Sequence, residues 1–117
     1  MKSICVMRDI YKAITTFEMG FEKTYGLSLN EAMVLCLLKD TEEGMTSTAI
    51  AEQTEMTTSH TSKVIRSIED KGLIERAVGK VDKRQMYFSL TTIGRDKLNT
   101  VSCDAITIPE TLRPLLA

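Results

Sequence analysis

The fold is decided by the stretch Met56-Thr57-Thr58-Ser59-His60-Thr61-Ser62-Lys63-Val64-Ile65-Arg66-Ser67-Ile68-Glu69-Asp70-Lys71-Gly72. Thr57 suits a helix N-cap, because its hydroxyl can accept from a backbone N–H that the first turn leaves free. Gly72 suits the other end, where the chain leaves a helix through a left-handed residue. Between them Thr61, Val64, Ile65, Ile68 and then Leu73 recur at helical spacing and mark the face turned to a core. Thr58, Ser59, Ser62, Lys63 and Arg66 fall on the other side. That side offers hydrogen-bonding groups and cations, and no acid before Glu69 and Asp70, so a polyanion can approach its early turns without meeting negative charge. Residues 57–71 are therefore read as a DNA-recognition helix.

Upstream, Thr46 or Ser47 can cap a short helix running through Gln53, in which Ala49, Ile50 and Ala51 give a small-residue face for close helix packing. Thr54 to Thr57 is then a tight connection, and two helices so joined, the second polar on its exposed face, make a helix-turn-helix. Downstream of Gly72 the hydrophobic period changes from that of a helix to that of a strand. Leu73 to Val78 reads as one strand and Gln85 to Leu90 as a second, with Met86, Phe88 and Leu90 alternating toward one face. The intervening Gly79-Lys80-Val81-Asp82-Lys83-Arg84 is a hairpin tip with three cations and one acid. Thr91 caps a following helix that runs from about Thr92 into Val101.

The flanks complete an expected order of elements. From Met1 to Tyr25, Ile4, Met7, Ile10, Tyr11, Ile14, Phe17, Met19 and Phe21 recur at roughly helical intervals without a proline. Such a broad apolar face on a terminal helix usually packs on a partner subunit or on other helices. Gly26 stops this helix, and Ser28 or Asn30 caps the next, Glu31 to Lys39. Ala32, Val34, Leu35, Leu37 and Leu38 make that second helix apolar nearly all round, hence central to the core, with Cys36 read as a small buried hydrophobe. The methionines at 7, 19, 33, 45, 56 and 86 are likewise read as core filler. At the far end, Pro109 suits a first helical turn and Pro114 opposes a long continuation, so at most a short terminal helix is expected.

Composition bounds the function classes. The chain has 117 residues with 43% hydrophobic, enough for one core without staples. Its formal net charge of -1 argues against a polycation that coats nucleic acid indiscriminately. Residues 46–97 alone are positive, with nine Lys/Arg against seven Asp/Glu, and an excess that small does not by itself point to DNA. No apolar run is long enough to cross a bilayer and no signal-like segment opens the chain, so the expected location is the cytoplasm. Cys5, Cys36 and Cys103 are odd in number, widely spaced and never in a Cys-x-x-Cys arrangement, so neither a disulfide framework nor a zinc knuckle is expected. His60 is the single histidine and has no companion ligands around it. No metal and no cofactor are expected. Paired carboxylates, a nucleophile with its base, and a phosphate-cradling glycine loop are all lacking in readable context, which disfavours an enzyme.

Helix-turn-helix followed by a charged hairpin is the winged-helix arrangement, and residues 46 to about 98 resemble the multiple-antibiotic-resistance regulator (MarR) family of bacterial transcription factors. The resemblance is carried by Thr46 through Ala51-Glu52, by Lys63-Val64-Ile65-Arg66-Ser67-Ile68-Glu69-Asp70-Lys71-Gly72-Leu73-Ile74-Glu75-Arg76, by Asp82-Lys83-Arg84 and by Ser89-Leu90-Thr91-Thr92-Ile93-Gly94-Arg95, in that order and spacing. It implies one MarR-like domain over 1–117, mainly α with a small β-hairpin wing (α+β). Within it, 1–27 is an N-terminal dimerisation helix, 28–98 a winged helix-turn-helix and 99–117 a C-terminal helical segment. The part after Arg95 is shorter than is usual in the family.

The resemblance further implies a homodimer in which the first and last helices of two subunits interlock. Its recognition helices enter successive major grooves of double-stranded DNA, and its wings, residues 79–85 here, reach the flanking minor grooves. Arg84 matches the family's wing arginine and Asp82 the acid that orients it. Physics agrees, since an arginine on a narrow hairpin can enter the electronegative minor groove while a neighbouring carboxylate restricts its rotamers. The expected DNA-binding set is Thr57, Thr58, Ser59, His60, Ser62, Lys63, Arg66, Lys80, Lys83 and Arg84. Lys63 and Arg66 are read as phosphate contacts and Thr58, Ser59, His60 and Ser62 as base readers. The plain alternative for these residues is a solvated helix face. Some family members sense peroxides through a first-helix cysteine, sometimes paired with one on a late helix of the other subunit, which makes Cys5 and Cys103 redox candidates. A small-molecule effector is a family expectation whose ligand no residue here identifies. The expected function is sequence-specific regulation of transcription, as a repressor on an inverted-repeat operator. The rival reading is a winged helix used for protein interaction.

Overall fold

The computed structural model describes residues 2–101 and 108–116. Its elements are α1 (Lys2–Tyr25), α2 (Leu29–Lys39), α3 (Ser47–Thr54), α4 (Thr58–Asp70), β1 (Ile74–Val78), β2 (Met86–Leu90), α5 (Thr92–Thr100), a 3-10 turn (Glu110–Leu112) and α6 (Arg113–Leu116). This is the mainly α, winged-helix architecture with a small β-hairpin that the residues predict. Among the described residues no helix is long and apolar enough to cross a membrane. The chain divides into two compact units, one of residues 1–29 and 101–117, the other of residues 30–100.

In the first unit, α1 ends at Gly26, whose φ of 69° is open to glycine at no cost. Its C-terminal half carries a stack of aromatic rings at i, i+4 spacing, with Phe17 6.2 Å from Phe21 and Phe21 5.0 Å from Tyr25. Phe21 and Tyr25 are buried. The 3-10 turn lies against α1, and Leu112 within it is buried. The N-terminal half of α1 differs: Ile4, Met7, Tyr11 and Ile14 form one apolar stripe and are all exposed. Pro114 falls in the first turn of α6, where its missing N–H costs nothing, and the helix stays four residues long.

The second unit is built on α2, α3 and α4. Val34, Leu35, Leu38, Ile50 and Ile68 are wholly buried, together with Thr61, and Val64, Ile65, Leu73, Ile74 and Phe88 join them. Each such aliphatic side chain contributes about 1.5–3 kcal/mol by leaving water. Burial on α2 is nevertheless one-sided. Cys36 and Met33 are exposed and Leu37 is half-buried, so neither the buried reading of Cys36 nor the all-round core role of this helix holds. The cause is the helical period, which gives the interior to positions 31, 34, 35 and 38 and turns 33 and 36 away. The methionines are corrected in the same way. Met45 is buried, whereas Met7, Met19, Met33 and Met86 are exposed.

The hairpin is antiparallel, pairing Ile74 with Leu90 through Val78 with Met86. It starts one residue later than the alternation suggests, because Leu73 still belongs to the end of α4. Of the alternating Met86, Phe88 and Leu90, only Phe88 is fully buried, since Met86 stands at the open end beside the wing loop. Met45 flanks β2 on its other edge, its N–H donating to the Phe88 carbonyl at 2.9 Å and its carbonyl accepting from the Phe88 N–H at 2.8 Å. In the turn between α3 and α4, Glu55 adopts a left-handed conformation with φ 59°.

At the start of α5, Gly94 is buried against the backbone of Leu73, and a Cβ built there would overlap the Leu73 carbonyl. Gly94→Ala must therefore displace α5 and is expected to lose about 1–3 kcal/mol of stability, as overpacked sites do. Gly26→Ala meets no neighbouring atom and carries only the strain of its backbone angle. Urea denaturation of both variants checks the order, with Gly94→Ala the less stable.

Candidate nucleic-acid interface

Both ends of α4 are held by local chemistry. The Thr57 hydroxyl accepts from the His60 N–H at 3.1 Å, which completes the N-cap. At the other end the Leu73 N–H donates to the Ile68 carbonyl at 3.0 Å and the Gly72 N–H to the Glu69 carbonyl at 2.9 Å, with Gly72 at φ 75°. These bonds form a Schellman motif. Upstream, the Thr46 hydroxyl caps α3 by accepting from the Ala49 N–H at 3.2 Å. The helix-turn-helix is thus α3, the turn at Glu55 and α4.

Thr61, Val64, Ile65 and Ile68 pin α4 to the body, while Thr57, Thr58, Ser59, His60, Ser62, Lys63 and Arg66 are exposed. At 100° per residue, Ser59, Ser62, Lys63 and Arg66 centre on the outward face, and Thr58 and His60 lie toward opposite flanks. The structure therefore divides the expected set between the middle and the edges of that face.

The His60 flank holds contacts that the sequence reading did not foresee. The Asn30 amide is 3.0 Å from His60 Nε2. On the same stripe of α4, Ser67 donates to Glu31 Oε2 at 2.7 Å and Lys71 Nζ donates to both Glu31 oxygens at 2.8 and 3.0 Å. Glu31 is only 5% exposed, so a buried carboxylate of α2 is compensated by groups of α4. The available signal was its place at position i of the apolar i, i+3, i+4, i+7 pattern of α2.

The wing tip spans the residues between β1 and β2, where Lys80, Lys83 and Arg84 are exposed. Asp82 Oδ1 accepts from the Arg84 backbone N–H at 3.0 Å and from Arg84 Nε at 3.4 Å. That carboxylate limits the rotamers of a side chain that is otherwise 93% exposed. At the base of the wing, Arg76 makes a bidentate ion pair with Glu69 at 2.6 and 2.7 Å and lies over the Phe88 ring, 5.4 Å from its centroid. The sheet explains that contact. Phe88 spends its backbone groups on Met45, so Arg76 and Phe88 are a non-hydrogen-bonded pair, the kind whose side chains come closest. Arg76 thereby ties the end of α4 to the wing. Of the two redox candidates, Cys5 is exposed on α1, and Cys103 lies outside the described residues.

Two predictions arise from these ties. The hydrogen bonds from Arg76 hold the Glu69 carboxyl below its ordinary value of 4.5 against the opposing effect of burial, and the charges of Arg76 and Arg66 add to the lowering. A lowered carboxyl stabilises the fold fully above that ordinary value and loses its contribution as pH falls through the lowered one. Glu69→Gln should therefore flatten the acid limb of stability against pH, by a small amount because Arg76 is half exposed, and thermal unfolding between pH 6 and 3 checks it. Glu31→Ala removes the acceptor of Ser67 and Lys71 and is expected to cost about 1–3 kcal/mol in urea denaturation, the lower part of the range if the 40% exposed Lys71 swings to water.

Comparison with known proteins agrees with this geometry. Residues 27–86, just over half of the chain, match the sequence model of the MarR family. Over 37 residues the chain is 49% identical to YdcH, an uncharacterized HTH-type transcriptional regulator of Bacillus subtilis (strain 168), a match covering 32% of this chain and 25% of that protein. The chain thus aligns with about a quarter of the length of this curated relative. Among solved structures, YusO from Bacillus subtilis is similar with a TM-score of 0.66 and 26% identity, over 83% of this chain and 67% of that one. The S. aureus MepR–DNA complex is similar with a TM-score of 0.64 and 24% identity, over 80% of this chain and 76% of that one, a likeness of fold. With its helix-turn-helix, its wing and more than half of its length matched, the chain belongs to the MarR family.

Proposed function

We propose that this chain is a sequence-specific double-stranded DNA-binding regulator of transcription that represses from an inverted-repeat operator as a homodimer. The observation that carries the reading is an outward face of α4, free of acids through Arg66, held by Arg76 on the same unit as a wing whose Arg84 is steadied by Asp82. In this reading Thr57, Thr58, Ser59, His60 and Ser62 meet the major groove. Lys63 and Arg66 contact phosphates, Lys80 and Lys83 the backbone beside the wing, and Arg84 the minor groove. That MepR was solved in complex with DNA supports the same use of the shared fold.

The homodimer is supported by the exposed stripe Ile4, Met7, Tyr11 and Ile14 on α1, an apolar face that a second copy would cover. The mechanism is geometric. Two recognition helices must sit one turn of DNA apart, so a small-molecule effector that alters their separation would alter affinity.

Selection of bound sites from random DNA at controlled salt tests the proposal. A palindrome with half-sites about 10 base pairs apart is expected. The absence of any enriched site, with a protein partner captured through the α4 face, would favour the protein-interaction reading instead. On the selected site, Arg84→Ala should weaken binding and reduce the slope of log K against log salt by about one unit. Equal affinity and slope in the variant would remove Arg84 from the interface.

A further inference from the structure

We propose that Asn30, a residue of α2 outside the helix-turn-helix, is a positioning residue for base reading, acting by fixing the tautomer and orientation of the His60 ring. The inference rests on the DNA-binding reading of α4. His60, Ser67 and Lys71 fall on one flank of α4 at i, i+7 and i+11, and the consecutive residues Asn30 and Glu31 meet that flank at both ends. The imidazole is thus turned by a contact that belongs to a pattern, since the neighbouring grip of Glu31 sets where the first turn of α2 stands along α4.

The chemistry of the contact has one consequence for recognition. With the Asn30 amide placed Nδ2 toward the ring, 3.0 Å from His60 Nε2, the nitrogen that can pair with this donor is an accepting Nε2, which assigns the ring proton to Nδ1. The exposed ring then offers Nδ1–H as a donor beside the N-terminal turn of α4, the part of such a helix that meets base edges. In the major groove guanine, adenine and thymine each present an acceptor, whereas cytosine presents a donor alone. A ring held in this tautomer discriminates against cytosine at the base it faces. Released from Asn30, the ring can shift its proton to Nε2 and accept from cytosine N4 through Nδ1, so the discrimination fades.

The test is selection from random DNA by the full chain, followed by binding of single-substitution operators, with thermal stability and salt slope measured alongside. The parent is expected to disfavour cytosine at one symmetry-related pair of positions, by about fivefold to tenfold. Asn30→Ala should relax that preference alone, leaving every other position, the melting temperature and the salt slope as in the parent. Asn30→Ser, which keeps a small polar side chain too short to reach His60, should behave the same and guards against loss of fold in the alanine variant. His60→Ala should relax the same position, and the double variant no further, because one interaction can be lost only once. A parent-like preference in both Asn30 variants, with His60→Ala relaxed, would overturn the role of Asn30. Preference unchanged in His60→Ala would overturn the reading by His60. A parent that enriches no site would instead overturn DNA recognition itself, and this inference with it.

Discussion

The end of α4 is the constraint on which the geometry of the interface depends. Within six residues, Ile68 to Leu73, the chain must leave α4 and enter the first strand of the wing. Gly72 makes the turn through a left-handed conformation, and Leu73 returns its N–H to Ile68. The same joint receives α5, since the Thr91 hydroxyl donates to the Gly72 carbonyl at 2.7 Å and the Thr91 N–H to the Leu73 carbonyl at 3.1 Å. Thr91 also caps α5 by accepting from the Gly94 N–H at 2.9 Å, and Gly94 lacks the Cβ that would forbid the approach. Helix, strand and following helix are thereby fixed to one another by backbone groups and the Thr91 hydroxyl, and the outward side chains of α4 take no part in the joint.

Polar ties supply what that joint cannot. A two-stranded hairpin is marginal by itself and would swing. Arg76 limits the swing by joining Glu69 on α4 to the Phe88 ring on β2, and Met45 adds a third segment to the sheet edge. On the opposite flank, the buried Glu31 gathers Ser67 and Lys71. Such compensated buried charge is weak evidence for net stability, but the geometry it demands defines how α4 lies on α2. The division of labour is clear: apolar positions hold the helix down, and polar flanks decide its rotation and slide.

The order of elements was legible because each boundary has a local chemical mark. Thr57 and Thr91 each cap the helix they precede from within reach of its own first turn, so the sequence neighbourhood suffices to recognise them, while for α3 the structure decides for Thr46 over Ser47. The charged hairpin and its Asp82-Lys83-Arg84 tip were readable for the same reason, with acid and arginine two residues apart. Less legible were Cys36 and the methionines, whose hydrophobicity says that burial is favourable without saying which face of a helix finds a neighbour.

By itself, then, the sequence determined the caps of α4 and α5, the left-handed exit at Gly72, the change of period into the wing and the identity of the outward-facing side chains of α4. All of these depend on contacts within a few residues or on the repeat of one element. Only the tertiary structure decided that Asn30 meets His60, that Glu31 is buried against Ser67 and Lys71, and that Arg76 lies between Glu69 and Phe88. Except for Arg76 and Glu69, these pairs stand a dozen to forty residues apart, and such pairings depend on how helices pack, which no local pattern encodes.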